Sequence, residues 1–123
     1  MRRLREGLHV VVLGAPRDYE TIVPDLPADV RVGTRLARDV PFVHLFVNDR
    51  AVLEKQLART LEKVARDGTI WVSWPKKSAK VPTDVTEDVI REVALPMQLV
   101  DVKVCAVDEV WSGLKLMIRR EAR

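Results

Sequence analysis

The distribution of apolar residues along the chain predicts a sheet with buried central strands. Three segments are apolar almost throughout, and they are Leu8 to Leu13, Phe42 to Val47 and Ile70 to Trp74. Such runs are typical of strands that are covered on both faces of a sheet. Val30 to Leu36 alternates only weakly and predicts a marginal strand at an edge.

Apolar residues that recur every three or four positions predict helices between these strands. Asn48 or Asp49 should be the N-cap of one helix, and Asp67 and Gly68 should end it. A shorter helix is expected from about Arg17 to Val23, where prolines follow. The apolar stripe of the long helix consists of Leu53, Leu57, Leu61 and Val64, of which Leu53, Leu57 and Leu61 should be buried.

A third helix is predicted after the tryptophan-containing strand. Thr83 and Asp84 precede it, and Glu87 stands three residues after Asp84, as in a capping box. Pro96 should end this helix. Its apolar face is expected to consist of Val85, Val89, Ile90 and Val93.

The period of the apolar residues changes to two near the C-terminus, which predicts strands. Val100 to Val107 and Leu114 to Ile118 both alternate between apolar and other residues. The connection from Val107 to Gly113 is too short to contain a crossover helix, so the two strands should be antiparallel to each other.

The order of the elements predicts an α/β fold, a three-layer Rossmann-like sandwich that forms a single domain over residues 1–123. We expect a mixed six-stranded sheet in the order 2-1-3-4-6-5, with an antiparallel C-terminal strand and helices on both faces. The alternative hairpin order, 4-5-6, would place Asp101 and Lys103 in a central strand.

Composition and charge narrow the class of protein. The chain has 123 residues, of which 47% are hydrophobic and 32% charged, and its net charge is +3. One core is expected, and the even mixture of charges argues against a strongly cationic nucleic-acid binder. The terminal arginines would form one basic patch if the chain ends met, but we expect them to be solvated. They are Arg2, Arg3, Arg5, Arg119, Arg120 and Arg123.

Cysteine and histidine usage predicts neither a disulfide nor a metal site. Cys105 is the single cysteine, and His9 and His44 lie far apart inside predicted strands, where we expect hydrogen-bonded core residues. We expect an inert thiol, no cofactor and a reducing cytoplasm. The apolar run Leu8 to Leu13 is too short to cross a membrane, and no other apolar run approaches membrane-spanning length.

The segment from Ser73 to Lys80, here called the lysine loop, is the strongest candidate site. A buried strand ends there in Trp74 and Pro75, and Lys76, Lys77 and Lys80 follow within five positions. Ligands of open α/β sheets bind at the carboxyl ends of the parallel strands, where this loop lies. The alternative is a solvated connection. The predicted ligand-binding residues are Gly14, Asn48, Ser73, Trp74, Lys76, Lys77, Ser78, Lys80, Asp108 and Trp111.

No set of residues predicts a catalytic centre. Ser112 lacks the Gly-x-Ser-x-Gly elbow of a hydrolase, and we expect Trp111 beside it to cover the edge of the sheet. Asp108 and Glu109 are candidates for acid and base, for ion pairs with the lysine loop, or for solvated surface carboxylates.

Long phrases of the chain resemble the bacterial family labelled DUF3052. They begin at Trp71 (Trp-Val-Ser-Trp-Pro-Lys-Lys), Thr83 (Thr-Asp-Val-Thr-Glu-Asp-Val-Ile-Arg), Leu99 (Leu-Val-Asp-Val-Lys-Val-Cys-Ala-Val-Asp) and Trp111 (Trp-Ser-Gly-Leu-Lys). Asp39 to Val72 and the closing hairpin also resemble the second half of the methyltransferase fold. The resemblance implies a soluble bacterial protein with a degenerate methyltransferase-like fold, and it implies no catalytic residues or activity.

The signature of S-adenosylmethionine binding in methyltransferases is incomplete here. Those enzymes have a glycine-rich turn after the first strand, whereas this turn has only Gly14 and is followed by Pro16. The second strand ends near Thr34 and Arg35, without the carboxylate that binds ribose. The same single glycine argues against a dinucleotide site.

Two hypotheses about function remain. The first is a non-catalytic module that binds a small anionic ligand or a protein partner. The second is an enzyme acting on an anionic metabolite, with Lys76, Lys77 or Asp108 in the chemistry, or, as a weaker variant, a methyltransferase. A pocket that joins Trp74, Asn48 and Asp108 around a partly buried lysine would favour the enzyme, and a shallow surface with solvated lysines would favour the module.

Overall fold

A computed structural model describes residues 9–15, 31–33, 36 and 38–123 of the chain. The strands of this part are β1 (His9–Leu13), β2 (Arg31–Gly33), β3 (Val40–Phe46), β4 (Val64–Pro75), β5 (Leu99–Ala106) and β6 (Trp111–Ile118). Its α-helices are α1 (Arg50–Lys63) and α2 (Glu87–Ala94). Short 3-10 turns occupy Lys77–Ala79, Leu95–Met97 and Arg120–Ala122.

The strands form one sheet in the order β2-β1-β3-β4-β6-β5, which confirms the predicted order. β2, β1, β3 and β4 are parallel, and β6 is antiparallel to both β4 and β5. The alternative hairpin order is therefore wrong. Five strands have at least five residues each, and of the predicted edge strand Val30 to Leu36 the structure describes Arg31–Gly33 as β2.

Alternate residues of the sheet divide the core between its two faces. Both described helices pack on one face, where Leu53, Leu57 and Ile90 join a cluster with residues of β1, β3, β4 and β6. Leu61 is only partly buried against this cluster. On the opposite face lies a second cluster, formed by Val10, Val12, Phe42, Phe46 and Trp71. The predicted helix Arg17 to Val23 lies outside the described residues.

Helix α1 is shorter than predicted at its C-terminal end. Asp49 caps its N-terminus, since the carboxylate accepts hydrogen bonds from the backbone N–H groups of Ala51 and Val52. The helix stops at Lys63, and Val64 is already extended and pairs with Val40 of β3. Val64 therefore belongs to β4 and not to the helical stripe, because its β-branched side chain fits the sheet equally well.

Helix α2 begins later than the sequence predicts. Its N-cap is Thr86, whose hydroxyl accepts a hydrogen bond from the N–H of Val89. Asp84 has a different partner, the N–H of Arg50 at the start of α1. The predicted capping box between Asp84 and Glu87 is therefore wrong. The segment before α2 instead ties the two helices together.

Candidate functional site

Backbone contacts draw the ends of β1, β3 and β4 together at the carboxyl edge of the sheet. Gly14 follows β1 with a φ of +79°, and a Cβ atom there would lie 2.6 Å from the carbonyl oxygen of Phe46. Only glycine accepts both this conformation and this approach. The N–H of Val47 donates to the carbonyl of Ser73 over 2.9 Å, which continues the pairing of β3 and β4 to the edge.

The lysine loop is ordered by its own turn and by hydrogen bonds at both of its flanks. Lys77–Ala79 forms a 3-10 turn, and Lys80 closes it in the left-handed conformation with a φ of 54°. The N–H of Lys76 donates to the carbonyl of Val110 over 2.8 Å and so attaches the loop to the hairpin between β5 and β6. These contacts define the path of the backbone that carries the three lysines.

Beyond the loop, Thr83 connects it to the end of β3. The Thr83 hydroxyl donates to the carbonyl of Asn48 over 2.7 Å and accepts from the N–H of Val85 over 3.0 Å. Asn48, a predicted ligand-binding residue, is exposed and takes part in this contact through its backbone. The carboxyl edge is thus a continuous hydrogen-bonded rim from the turn after β3 to the hairpin.

The N-terminus of α1 lies at this edge but is closed to anions. A helix N-terminus after a Rossmann strand commonly binds phosphate through its unpaired N–H groups. Here the N–H of Arg50 donates to Asp84, and those of Ala51 and Val52 donate to Asp49. Two carboxylates already occupy the first turn, so an anion would meet negative charge there and not free donors.

Ser73 does not face a surface ligand, contrary to prediction. Its side chain is fully buried, and its Oγ lies 2.7 Å from Nε2 of His44, in a hydrogen bond whose donor depends on the tautomer of the imidazole. His44 is also fully buried and stacks on Phe46, with ring centroids 4.3 Å apart. Burial lowers the pKa of His44 from 6.5 to about 3, so the imidazole is neutral at pH 7.

The serine and histidine pair has the distance of a nucleophile and its base but not the access. Both side chains lie inside the sheet, so a substrate cannot reach the hydroxyl. The expectation that His44 is a hydrogen-bonded core residue is confirmed. The structure describes the backbone of His9 but not its side chain.

Trp74 is likewise not a wall of the predicted site. Its side chain is 8% exposed and belongs to the cluster beneath α1 and α2, with Val72 and Leu114. Trp111 lies on the opposite face and contacts Phe46 edge to face, with ring centroids 5.1 Å apart. The sheet therefore separates the two tryptophans, and one ligand at the surface cannot contact both.

Asp108 is a structural acceptor in the hairpin between β5 and β6. Its Oδ1 accepts hydrogen bonds from the N–H groups of Val110 and Trp111, each over 2.8 Å. Such a bond from an aspartate to the backbone two residues on is typical of an Asx turn. Trp111 begins β6 and is not in the turn as predicted, because its backbone already pairs with Pro75 of β4.

Of the predicted residues, the structure gathers Lys76, Lys77, Ser78 and Lys80 on one exposed loop. Lys76 is partly buried, and Lys77, Ser78 and Lys80 are exposed. The side chains of the three lysines make no ion pair with carboxylates in the described part of the chain. Trp74 lies beneath the helices, so it does not line a pocket with Asn48 and Asp108 around a lysine in the described part of the chain.

Sequence reasoning missed the residues that hold this loop in place. Thr83, Asp84 and the carbonyl of Val110 fix the rim, whereas the sequence predicts a helix start at Thr83 and Asp84. A signal for their role was present, since Thr83, Asp84 and Thr86 are all capping residues and only one of them can be the N-cap.

Comparisons with known proteins identify the fold. No protein-family model and no curated protein matches the chain. A solved S-adenosylmethionine-dependent methyltransferase from Aquifex aeolicus is 12% identical, with a TM-score of 0.58, over 94% of this chain and 84% of that one. Fibrillarin in a complex with Nop5p is 11% identical, with a TM-score of 0.58, over 96% of this chain and 76% of that one.

A third structure, Aeropyrum pernix fibrillarin with natively bound S-adenosyl-L-methionine, is 16% identical, with a TM-score of 0.55, over 92% of this chain and 67% of that one. At such low identity these matches establish the fold alone. The chain has a methyltransferase-like, Rossmann-like α/β fold with a mixed sheet. No helix in the described ranges has the length and apolar character needed to cross a membrane.

Proposed function

We propose that the chain is a bacterial member of the DUF3052 family that acts in the cytoplasm as a non-catalytic binding module. On its methyltransferase-like scaffold, the lysine loop binds a small ligand that carries a phosphate or carboxylate group. The acidic surface of a protein partner is the second kind of ligand with the same chemistry. The observation that carries the proposal is an ordered loop with three lysines that lack a carboxylate partner among the described residues.

The physical basis is the difference between the lysines and the other cations of this region. The guanidinium of Arg50 is bound by Glu54 and Glu92 over 3.0 and 3.3 Å, so its charge is already compensated. The ammonium groups of Lys77 and Lys80 are exposed and have no such partner in the described part. Ammonium groups bind phosphate and carboxylate as point charges, and the neighbouring hydroxyl of Ser78 adds a donor.

The enzyme hypothesis has less support at this edge. Its candidate acid or base, Asp108, accepts two backbone hydrogen bonds that hold the hairpin turn. The serine and histidine that would form a nucleophile pair are buried in the sheet. A binding role needs only the exposed cations, whereas catalysis needs a reactive group within reach of the ligand.

A methyltransferase is the alternative that a specific observation favours. The scaffold matches that of known S-adenosylmethionine-dependent enzymes over more than nine-tenths of the chain, and Gly14 makes a close turn after β1. Against it stands the single glycine of this turn. Titration with S-adenosylmethionine therefore belongs in the same experiment.

The test is an NMR titration of the ¹⁵N-labelled protein with pyrophosphate, citrate and S-adenosylmethionine. We expect the first two to shift the amide signals of Lys76 to Lys80 and S-adenosylmethionine to leave the spectrum unchanged. Replacing Lys76 and Lys77 by alanine should weaken the binding of the anion by about 1 to 3 kcal/mol.

The matched control replaces Lys55 and Arg59, two exposed cations on α1, by alanine and removes the same charge. Equal weakening in both double variants would show a general effect of charge and would refute the lysine loop as the site. Saturable binding of S-adenosylmethionine would instead support the methyltransferase.

A further inference from the structure

Four arginines lie together at the amino edge of the sheet, at the opposite end of β4 from the lysine loop. β4 begins at this edge, and β6 ends there because the two strands are antiparallel. The guanidinium of Arg66, near the start of β4, donates to the carbonyl oxygen of Ala122 in the 3-10 turn after β6. This contact defines the arginine cluster, which consists of Arg66, Arg119, Arg120 and Arg123.

The turn after β6 directs its arginines outward. Ala122 packs against the core, and its N–H donates to the carbonyl of Arg119 over 2.8 Å. The N–H of Arg119 in turn donates to the carbonyl of Gln98 over 2.8 Å, which fixes the turn to the start of β5. The side chain of Ala122 packs against the core, whereas Arg119, Arg120 and Arg123 in the same segment are exposed.

Backbone carbonyls position two of the guanidinium groups without neutralising them. Arg66 donates to Ala122, and Nε of Arg123 donates to the carbonyl of Ile118 over 2.9 Å. A carbonyl carries no net charge, and each guanidinium has five N–H donors, so most of the donors remain available. Arg91 differs, because its guanidinium is bound by Asp101 over 2.9 Å.

The local charge is positive even when the nearby acids are counted. Asp67 follows Arg66, and Glu121 lies within the turn, so the side chains of the four arginines and the two acidic residues sum to a formal charge of +2. Neither carboxylate forms an ion pair with a cluster arginine in the described part of the chain. The arginine side chains of the cluster therefore carry positive charge that no described salt bridge compensates.

We propose that the arginine cluster binds the phosphate backbone of a nucleic acid. The planar fork of a guanidinium matches two phosphate oxygens, and forks that are already held in place lose less entropy on binding. Several exposed forks around one turn suit a chain of phosphates better than a single small anion. Contacts of this kind position the protein on the polymer and carry no sequence preference.

An anionic membrane is the other polyanion that such a surface meets, and the turn is less suited to it. Interfacial membrane segments insert apolar side chains between the lipid headgroups. Ala122, the apolar residue of this turn, is directed into the core and cannot serve as an anchor. The sequence predicts solvated chain ends for Arg119, Arg120 and Arg123. The hydrogen bond of Arg66 to Ala122 adds a fourth arginine from β4 to the same surface.

The experiment measures fluorescence anisotropy of labelled oligonucleotides of about 20 residues, as single-stranded RNA, single-stranded DNA and duplex DNA, at several salt concentrations. Arg119→Gln with Arg120→Gln leaves both carbonyl contacts of the cluster intact. We expect this variant to bind about tenfold more weakly, and the slope of log K against log salt to become shallower by about 2. Comparison of the three oligonucleotides shows which phosphate polymer is preferred.

The matched control is Lys55→Gln with Lys103→Gln, which removes the same charge at two exposed positions outside the cluster and the lysine loop and should change binding less than twofold. An equal loss of affinity in both variants would refute the cluster, because it would reflect net charge alone. Unchanged binding in the arginine variant would refute it as well. Binding to vesicles that contain phosphatidylserine, without binding to any of the oligonucleotides, would assign the surface to a membrane and overturn the proposal.

Discussion

The buried pair of His44 and Ser73 predicts a loss of stability in mild acid. His44 has a pKa of about 3 in the folded chain, because burial disfavours its charged form, against 6.5 for an exposed histidine. Between these values the unfolded chain binds a proton that the folded chain does not bind. The free energy of unfolding is therefore unaffected by this group above pH 6.5 and falls as the pH decreases below it.

The size of the effect follows from the same difference in pKa. Each pH unit within this window lowers the free energy of unfolding by about 1.4 kcal/mol, so the contribution of His44 at pH 5 is a loss of about 2 kcal/mol relative to pH 7. Asp101 acts in a different range. Its hydrogen bond to Arg91 lowers its pKa below 3.8, so its stabilising contribution is present above that value and is lost only at lower pH.

The assay is urea denaturation at pH 7, 6 and 5 of the wild type and two variants. His44→Phe with Ser73→Ala removes both partners, and the new ring keeps a stacking surface for Phe46. This variant should lose about 2 kcal/mol less than the wild type between pH 7 and 5. Ser73→Ala alone retains the buried imidazole and should keep the acid sensitivity. Equal losses in the wild type and the double variant would refute a neutral, buried His44.

Three further substitutions test contacts that shape the two faces and the edge of the sheet. Gly113→Ala should cost about 1 to 3 kcal/mol of stability in urea denaturation, because a Cβ there would lie 2.9 Å from Val107 and 3.1 Å from the ring of Trp71. Asp108→Ala should lower the melting temperature, whereas Asp108→Asn, which keeps an acceptor for the turn, should retain most of it; a large loss with asparagine would point to a role for the charge. Thr86→Ala should cost about 1 kcal/mol as a lost N-cap, with Thr86→Ser as the control that keeps the hydroxyl.

The strand order was predictable because local constraints leave few alternatives. The connection from Val107 to Gly113 excludes a crossover, and the polar residues Asp101 and Lys103 favour the edge position that β5 occupies. The stripe of Leu53 and Leu57 has one helical interpretation, and both side chains are fully buried. Patterns of this kind depend only on residues close together in the sequence.

The predicted boundaries of the helices were wrong where a residue type is suited to two kinds of local structure. Val64 continues the helical spacing of α1, but a β-branched residue is equally suited to begin β4. Thr83, Asp84 and Thr86 are all capping residues, and the choice among them depends on Asn48 and Arg50, more than thirty residues earlier in the chain. Sequence spacing cannot show which partner is nearby.

The candidate site was predictable as a loop but not as a set of side chains. Lys77 and Lys80, which follow the strand-ending Pro75, are exposed because burial of a charged ammonium group without a partner is costly. Ser73 and Trp74 precede them in the strand, and their side chains point to opposite faces of the sheet. Which faces are covered depends on the packing of distant elements, so the exposure of these two residues could not be derived from the loop itself.

The positions of the two cationic surfaces make their proposed functions independent. Arg66 lies near the start of β4, and Lys76 directly follows its end. The regular part of the strand, which begins at Thr69 after an irregularity, spans roughly 20 Å up to Lys76. The Debye length in physiological salt is about 8 Å, so the charges at one end contribute little to binding at the other. Substitutions at the two ends should therefore act additively on stability and separately on ligands. At constant ionic strength, pyrophosphate should therefore leave oligonucleotide binding unchanged, and competition between the two under these conditions would contradict two independent sites.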